Sequence, residues 1–386
     1  MSTSSFVDQI YGNLQKVDKG ELEALYEELF PQKNGVGIEI AGDGRTLHAI
    51  TIGTNPLSSL IGSVGITAVD EAYRFGSDIV STFRTFNKQY GKSFLLIGSS
   101  SGRSSIPFEY ARILEEQTDS VNATFGLITA NPDSPIGNMV RTRGDGGVIL
   151  KLNGRESNTE INEKYLEKGI LGDLFESEVT ALSNYISMGI LDNVPPDSFY
   201  KYFERKIDAR DVIERDIQRL RKTEAYQNLI DDLCNPDKSC FIAGEGPEGN
   251  VAKMTNIRMG HVRPHTSGLR KSRKALGANQ NYVIGETNTP NMDKDSILIG
   301  VSCIETSPKV SHYLRDANRV GAETFIITGD TNSKLAKNLL WSYNSSPCSE
   351  SLILTTALID VGYRLVDGGI TVNEDLFNNL HVRDKK

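Results

Sequence analysis

The sequence contains few of the residues that cross-link a chain or bind metal. It has four cysteines, one tryptophan and five histidines in 386 residues, and no two cysteines have the CxxC spacing of a zinc or redox motif. Scattered cysteines of this kind are typical of free thiols in a reducing compartment. We therefore expect a cytoplasmic protein without disulfides.

Long apolar runs and an excess of positive charge are also missing. No stretch of about 18 apolar residues is present, which argues against a membrane-spanning helix, and the first residues lack the basic and apolar regions of a signal peptide. The net charge is −8 and the pI is about 5.4, whereas nucleic-acid-binding domains usually carry a basic stripe. We expect neither a membrane nor a nucleic acid as partner, and an anionic ligand would need a local binding site.

The chain contains an internal repeat, and its length suits two domains of ordinary size. The AGDG segment at residues 41–44 returns as AGEG at residues 243–246, which is 202 residues later. The same shift places Ser302 opposite Ser100, and both residues follow an apolar run. A repeat of this period predicts two copies of one structural unit.

Each copy alternates short β-branched runs with amphipathic stretches. This alternation predicts an α/β fold with a doubly wound parallel sheet, whose ligands lie at the carboxyl ends of the strands. The Pro195–Pro196 pair, in a polar segment, predicts the boundary between the copies. We expect domains at residues 1–195 and 196–386.

Five motifs of the first copy resemble those of the sugar isomerase (SIS) family, most closely the 6-phospho-3-hexuloisomerases. The matching segments are Gly42-Asp43-Gly44-Arg45-Thr46, SSSGRSS at 99–105, ANPDSPIG at 130–137, Asn153-Gly154-Arg155 and Leu174-Phe175-Glu176. The second copy matches the family with VIGETNTP at 283–290. Its loop at 302–307 is one residue shorter than the family's loop and lacks the glycines, and its first turn lacks the arginine. The resemblance implies two SIS domains arranged as a pseudo-dimer, with an intact phosphate loop in the first and a degraded one in the second.

Residues 99–105, which we call the serine loop, are the predicted phosphate-binding site. Hydroxyls and backbone N–H groups at a turn from strand to helix form a cradle for an anion. The candidate contacts in the loop are Ser99, Ser101, Gly102, Arg103, Ser104 and Ser105. The alternative is a plain loop that caps the helix beginning near Pro107. Arg45, at the end of the first strand, is a further candidate for contact with the substrate.

Glu176 is the predicted catalytic base. Exchange of a carbonyl between adjacent carbons moves a proton through an enediol, which requires a positioned base. Burial beside Leu174 and Phe175 would raise the proton affinity of the carboxylate, as that task requires. The alternative is a solvated glutamate that caps a helix, since Glu178 follows closely. Glu350 has a comparable place in the second copy, but without a matching phosphate loop.

His261 lies where the family carries a histidine, whereas the corresponding position of the first copy is Ser59. The resemblance implies that the second copy contributes His261 to the site of the first copy for proton transfer. A histidine that only packs is the equal alternative. His261 and His265 have metal-like spacing, but Pro264 would break the helix between them, so we expect no metal.

The resemblance implies isomerisation of a phosphosugar through an enediol, without an organic cofactor. It also allows a homodimer. Two alternatives stay open: an aminosugar-phosphate isomerase or deglycase, and a sugar-phosphate sensor that catalyses nothing.

Overall fold

A computed structural model describes residues 4–31, 35–60, 62–68, 79–116, 121–142, 147–154, 173–208, 211–263, 281–286, 289–303, 307–343 and 345–368. The contacts among the described residues divide them into two compact units. The N-terminal unit holds those between residues 8 and 208. The C-terminal unit holds those from residue 211 onward, together with residues 4–7.

The N-terminal unit is built on a parallel sheet of five strands. The elements in chain order are α1 (Ser4–Leu14, in this unit from residue 8 onward), α2 (Lys19–Leu29), β1 (Val36–Gly42), α3 (Arg45–Thr54), a 3₁₀ turn (Asn55–Ser59), β2 (Val64–Ala68), α4 (Ile79–Gln89), β3 (Lys92–Gly98), α5 (Ser105–Glu115), β4 (Thr124–Thr129), α6 (Pro135–Thr142), β5 (Val148–Lys151), α7 (Asp173–Leu191) and α8 (Pro196–Asp208). The strand order is β2-β1-β3-β4-β5. In β1, Val36 lies opposite both Val64 of β2 and Lys92 of β3. All of β1 is buried, as in parallel sheets covered by helices on both faces.

The C-terminal unit repeats this architecture. Its elements are α9 (Asp211–Leu220), α10 (Glu224–Cys234), β6 (Ser239–Ala243), α11 (Pro247–Val262), β7 (Asn281–Val283), β8 (Ser296–Val301), α12 (Pro308–Val320), β9 (Glu323–Thr328), β10 (Asn338–Trp341) and α13 (Pro347–Asp367). The strand order β7-β6-β8-β9-β10 is the same as in the first sheet when the strands are matched in chain order. The predicted repeat therefore corresponds to two sheets of identical topology.

The backbone hydrogen bonds define which residues of the two units are equivalent. The N–H of Ser99 donates to the carbonyl of Ile128, and the N–H of Ser302 donates to that of Ile327. Ser302 thus corresponds to Ser99, one residue away from the predicted pairing with Ser100. Counted from strand end to helix start, the loop after β8 is as long as the loop after β3. The resemblance describes the loop at 302–307 as one residue shorter than the loop of the family. Within this chain it is as long as its counterpart after β3.

Apolar side chains fill the space between sheet and helices in each unit. In the N-terminal unit Phe83 of α4 packs with Leu95, Ile97 and Phe125 of the sheet. In the C-terminal unit the corresponding cluster contains Phe241, Leu298, Leu314 and Ile326.

Helix α8 follows the predicted boundary at residues 195/196 and lies within the N-terminal unit. The ring of Phe199 stacks on Tyr26 of α2 with 3.7 Å between centroids. The Tyr26 hydroxyl donates to the carbonyl of Val194 at 2.8 Å. These contacts anchor α8 against α2.

Within the described ranges, no helix combines the length and the apolar composition needed to cross a bilayer.

Candidate functional site

The candidate site lies at the carboxyl end of the first sheet, where β1 leads into α3, β3 leads into the serine loop and α7 begins. This edge is where open α/β sheets bind their ligands. The structure places the serine loop between β3 and α5, as predicted. It places Arg45 at the first position of α3 and Glu176 in the first turn of α7.

The serine loop is shaped by its own hydroxyl groups. The Ser99 and Ser104 hydroxyls lie 2.9 Å apart, and the N–H of Gly102 donates to Oγ of Ser99 at 3.0 Å. The Ser101 hydroxyl accepts from the N–H of Arg103 at 3.2 Å. Since Ser99 is buried, it holds the loop from inside. Arg103 and Ser105 are exposed, and Ser101 and Ser104 are half-buried, so these four side chains lie where a ligand could reach them.

Gly102 is required by the conformation of the serine loop. Its φ is +64°, a left-handed conformation that side chains disfavour. A β-carbon there would lie 1.9 Å from Oγ of Ser134 and 3.2 Å from the carbonyl oxygen of Asn131. The carbonyl of Gly102 also accepts from the N–H of Ile136 at 3.2 Å. The serine loop is thus packed directly against the ANPDSPIG segment, the next motif in the chain.

The N-terminus of α5 adds backbone donors beside the serine loop. Ser104 occupies the N-cap position of α5 without a capping hydrogen bond from its side chain. Its hydroxyl bonds to Ser99 instead. The first N–H groups of a helix lack partners within the helix and, with the helix dipole, favour an anion. This geometry suits a phosphate group.

Arg45 contacts carboxylates of the protein itself. Its guanidinium lies 2.5 Å from Oδ1 of Asp173 and 3.3 Å from Oε2 of Glu176, and all three side chains are at most one-tenth exposed. Burial by itself would lower the pKa of Arg45, but the charges of Glu176 and Asp173 outweigh it, so the pKa is raised. Arg45 therefore holds the first turn of α7 in place. Contact of Arg45 with a substrate stays a prediction.

Thr46 lies beside both Glu176 and Gly98, the last residue of the strand before the serine loop. Its hydroxyl donates to Oε1 of Glu176 at 3.4 Å. A methyl group at Gly98, the last residue of β3, would lie 2.8 Å from Cγ2 of Thr46. Since Ser99 follows Gly98 directly, Thr46 touches both the carboxylate and the strand end that starts the loop. The predicted base and the predicted phosphate loop therefore border one residue.

Glu178 is a buried acid whose place in the structure was not predicted. It is fully buried and accepts hydrogen bonds from Nδ2 of Asn13 at 2.6 Å and from the N–H of Gly154 at 3.0 Å. Burial raises its pKa to about 8, against the effect of these donors. A β-carbon at Gly154 would lie 2.5 Å from the backbone nitrogen of Phe175. The Asn153-Gly154 turn and the Leu174-Phe175-Glu176 segment, matched separately to the family, are thus in contact. The sequence does not predict the burial of Glu178, because its position two residues after Glu176 carries no information about Asn13, which lies on α1.

Two further predicted positions fall outside what the structure describes. His261 belongs to the last turn of α11, but its side chain is outside the described part, so its catalytic role stays a prediction. Arg155, from the Asn153-Gly154-Arg155 motif, is also outside the described residues.

Part of the sequence is similar to that of a known protein. No protein-family model matches the chain. An uncharacterized protein of Archaeoglobus fulgidus is 28% identical over 130 residues, which cover 33% of this chain and 62% of that protein. The match thus spans less than two thirds of that relative's length.

Solved structures match almost the whole chain at low identity. The tagatose-6-phosphate ketose/aldose isomerase of Escherichia coli is 10% identical with a TM-score of 0.55, covering 92% of this chain and 87% of that one. The glucosamine-6-phosphate deaminase of Thermotoga maritima is 10% identical with a TM-score of 0.54, covering 96% of both chains. The C-terminal domain of glucosamine-fructose-6-phosphate aminotransferase from Francisella tularensis is 14% identical with a TM-score of 0.57, covering 92% and 89%. The predicted fold class, an α/β chain with two parallel sheets flanked by helices, is confirmed: this chain has the fold of these sugar-phosphate proteins.

Proposed function

We propose that this chain isomerises a sugar phosphate at the carboxyl edge of its N-terminal sheet. The observation that carries the proposal is the contact of Thr46 with both Glu176 and the strand end before the serine loop. A carboxylate and an anion cradle that border one residue suit a substrate with a phosphate at one end and a carbonyl at the other.

The residues have separate roles in the proposed reaction. The phosphate binds to the N–H groups of Ser105 and Ile106, the first two residues of α5, and to the hydroxyls of Ser101, Ser104 and Ser105. The Glu176 carboxylate takes a proton from the hydroxyl-bearing carbon next to the carbonyl, which leaves an enediolate, and the resulting carboxylic acid then protonates the former carbonyl carbon. The proton of the hydroxyl group passes to the other oxygen of the enediolate, which completes the exchange of the carbonyl. Arg45 and Thr46 hold the carboxylate in one position. The reaction needs no organic cofactor, because it moves protons without net oxidation of the substrate, and the protonated Glu176 exchanges its proton with solvent before one is returned to carbon.

The fold neighbours leave the substrate class open between neutral sugars and amino sugars. One structure with this fold is a ketose/aldose isomerase, and another is a glucosamine-6-phosphate deaminase. The deaminase also releases ammonia, so ammonia in the assay would separate the two activities. Isomerisation of a neutral sugar phosphate, with the 6-phospho-3-hexuloses as the leading candidates, is the form that we propose.

Solvent exchange monitored by NMR tests the proposal. The full chain is incubated in D₂O with hexose, pentose and aminohexose phosphates, and deuterium should appear at the carbon next to the carbonyl of one of them. Glu176→Gln should lower kcat by a factor of roughly 10² to 10⁴ while the sugar phosphate still raises the melting temperature. Glu224→Gln is the matched control, because Glu224 is an exposed glutamate in the first turn of α10.

Three outcomes would count against the proposed reaction. Turnover of Glu176→Gln within a few-fold of wild type would remove Glu176 from the chemistry. A thermal shift with sugar phosphates but no exchange into any of them would favour the sensor. Release of ammonia from an aminohexose phosphate alone would favour the deaminase class.

A further inference from the structure

The strongest feature outside this site is a cluster of three side chains at the carboxyl edge of the second sheet. Glu248 is the second residue of α11, Cys303 follows β8 and Glu350 is in the first turn of α13. Each offers an oxygen or sulfur atom, and the three atoms lie within 4.8 Å of one another. Sγ of Cys303 is 3.3 Å from Oε2 of Glu350. The backbone N–H of Cys303 donates to Oε1 of Glu248 at 3.3 Å.

The corresponding positions of the N-terminal unit carry different chemistry. Gly44 and Gly246 are the N-caps of α3 and α11, so Pro247 stands where Arg45 is and Glu248 stands where Thr46 is.

The loops after β3 and β8 align in the same way. Because Ser302 corresponds to Ser99, Cys303 stands where Ser100 is. At the ligand edge of the fold, the second unit has thus exchanged a guanidinium and two hydroxyls for a proline, a carboxylate and a thiol.

The cluster brings acidic groups together away from water. Glu350 is fully buried and Cys303 is 8% exposed. Burial, together with the charge of the nearby Glu248, raises the pKa of Glu350 to about 8, against the hydrogen bonds from Ser345 and Cys303. Burial, followed by the charges of Glu350 and Glu248, also raises the pKa of the Cys303 thiol. A bound cation reverses this balance, because it favours the deprotonated forms of both groups.

We propose that Glu248, Cys303 and Glu350 form a binding site for one divalent transition-metal ion, with Zn²⁺ as the ion that best fits a thiolate with two carboxylates. In a tetrahedral Zn²⁺ site the ligand atoms are about 3.3–3.8 Å apart, as bond lengths of about 2.0–2.3 Å require. The Cys303–Glu350 separation of 3.3 Å already meets this. Three protein ligands leave the fourth position for water or an exogenous ligand, and half-buried Glu248 lies on the side open to solvent.

Zinc binding by the full chain, stripped with a chelator, tests the site directly. ZnCl₂ is titrated in competition with a chromogenic chelator, and the wild type should bind one ion through this site with release of protons. Cys303→Ser and Glu350→Gln should each weaken that binding at least tenfold. Cys234→Ser is the matched control, since this cysteine is on α10, away from the second sheet's carboxyl edge, and should bind as wild type does.

A second probe reports the bond to sulfur. Co²⁺ should give the near-ultraviolet charge-transfer absorption of a cobalt–thiolate bond in wild type and Cys234→Ser, and that absorption should be absent from Cys303→Ser. If either buried variant fails to fold, Glu248→Gln at the half-buried position should weaken Zn²⁺ binding in its place. The proposal is overturned if the wild type binds no stoichiometric Zn²⁺, or if the cluster variants bind it as tightly as wild type. Since the readout is metal binding, this result does not depend on isomerase activity.

Discussion

The two units have the same strand order and the same turn after their first strand, but the ends of their sheets differ in chemistry. Gly44 and Gly246 adopt φ values of +52° and +61° before equivalent helices. In the N-terminal unit an arginine neutralises two carboxylates beside a loop of hydroxyls. In the C-terminal unit two carboxylates meet a thiol. The two units thus place different charged groups at equivalent edges of one fold, and on that difference we assign an anion to one edge and a cation to the other.

The same contrast holds at the helix that follows each loop. Ser104 bonds to Ser99 and leaves the first N–H groups of α5 without a side-chain cap. Ser307, its counterpart, accepts from the N–H of Val310 at 3.0 Å and so caps α12. The uncapped helix belongs to the unit that we assign to phosphate binding, and the capped helix belongs to the unit that we assign to a cation.

The largest effect on stability is expected from Arg45→Met. The change removes the charge that compensates Asp173 and Glu176 at nearly the same volume, and leaving buried charges uncompensated typically costs about 3–5 kcal/mol. Urea unfolding measures the loss. Arg112→Gln, which breaks exposed pairs with Glu109 and Glu116, should change the midpoint far less. Equal losses from the two variants would mean that the buried pairs are worth no more than the exposed ones.

Gly102→Ala should destabilise the serine loop by more than the cost of placing an alanine in a left-handed conformation. Gly62→Ala is the control, because Gly62 also has a positive φ, of +85°, with open space around its β-position. Both variants carry left-handed strain of roughly 1–2 kcal/mol, and Gly102→Ala adds overpacking of roughly 1–3 kcal/mol against Ser134. Sugar-phosphate binding, followed by thermal shift, should be lost in Gly102→Ala and kept in Gly62→Ala. Binding that survives in both variants would place the phosphate elsewhere.

The acid of the second unit should leave a signature in the pH dependence of stability. The pKa of Glu350 is raised from 4.5 to about 8 on folding, so its stabilising contribution is complete below pH 4.5 and is lost as the pH rises to about 8. With the metal removed, this group contributes a slope of at most about −1.4 kcal/mol per pH unit in that window. In Glu350→Gln this contribution to the slope of the unfolding free energy against pH should be absent, because the variant has no carboxyl group to titrate at this position. An unchanged slope would show that the carboxylate is already ionised in the folded chain.

The smallest expected effect distinguishes the two helix caps. Ser307→Ala should cost about 1 kcal/mol, because the N–H of Val310 loses its acceptor. Ser104→Ala should cost less stability, because its side chain does not cap α5, but it should weaken sugar-phosphate binding. Urea midpoints and thermal shifts on both variants test the difference. If the two variants changed equally in both assays, the difference in function that we assign to Ser104 and Ser307 would be wrong.

Much of the fold was predictable because the repeat consists of short sequence patterns that can be recognised without knowing the tertiary structure. The AGDG and AGEG turns, the buried β-branched runs and the amphipathic stretches between them predict two copies of a parallel sheet, and the structure contains both. The serine loop was also predictable, since its position between a strand and a helix follows from the order of the patterns. The exact register between the copies was not, because a shift by one residue at Ser302 changes no local pattern.

The sequence by itself determined the two-copy α/β architecture and the position of the serine loop, since each of these depends on residues close together in the chain. Glu176 as the base was suggested by the family resemblance and stays a prediction. Only the tertiary structure decided what surrounds them. Arg45 reaches Asp173 and Glu176 across 128 and 131 residues, because the starts of α3 and α7 meet at one edge of the sheet. Glu248, Cys303 and Glu350 meet across 55 and 47 residues for the same reason. Charges and ligands that face each other across such distances leave no periodic pattern in a sequence, because their proximity arises only when separate strands end at a common edge.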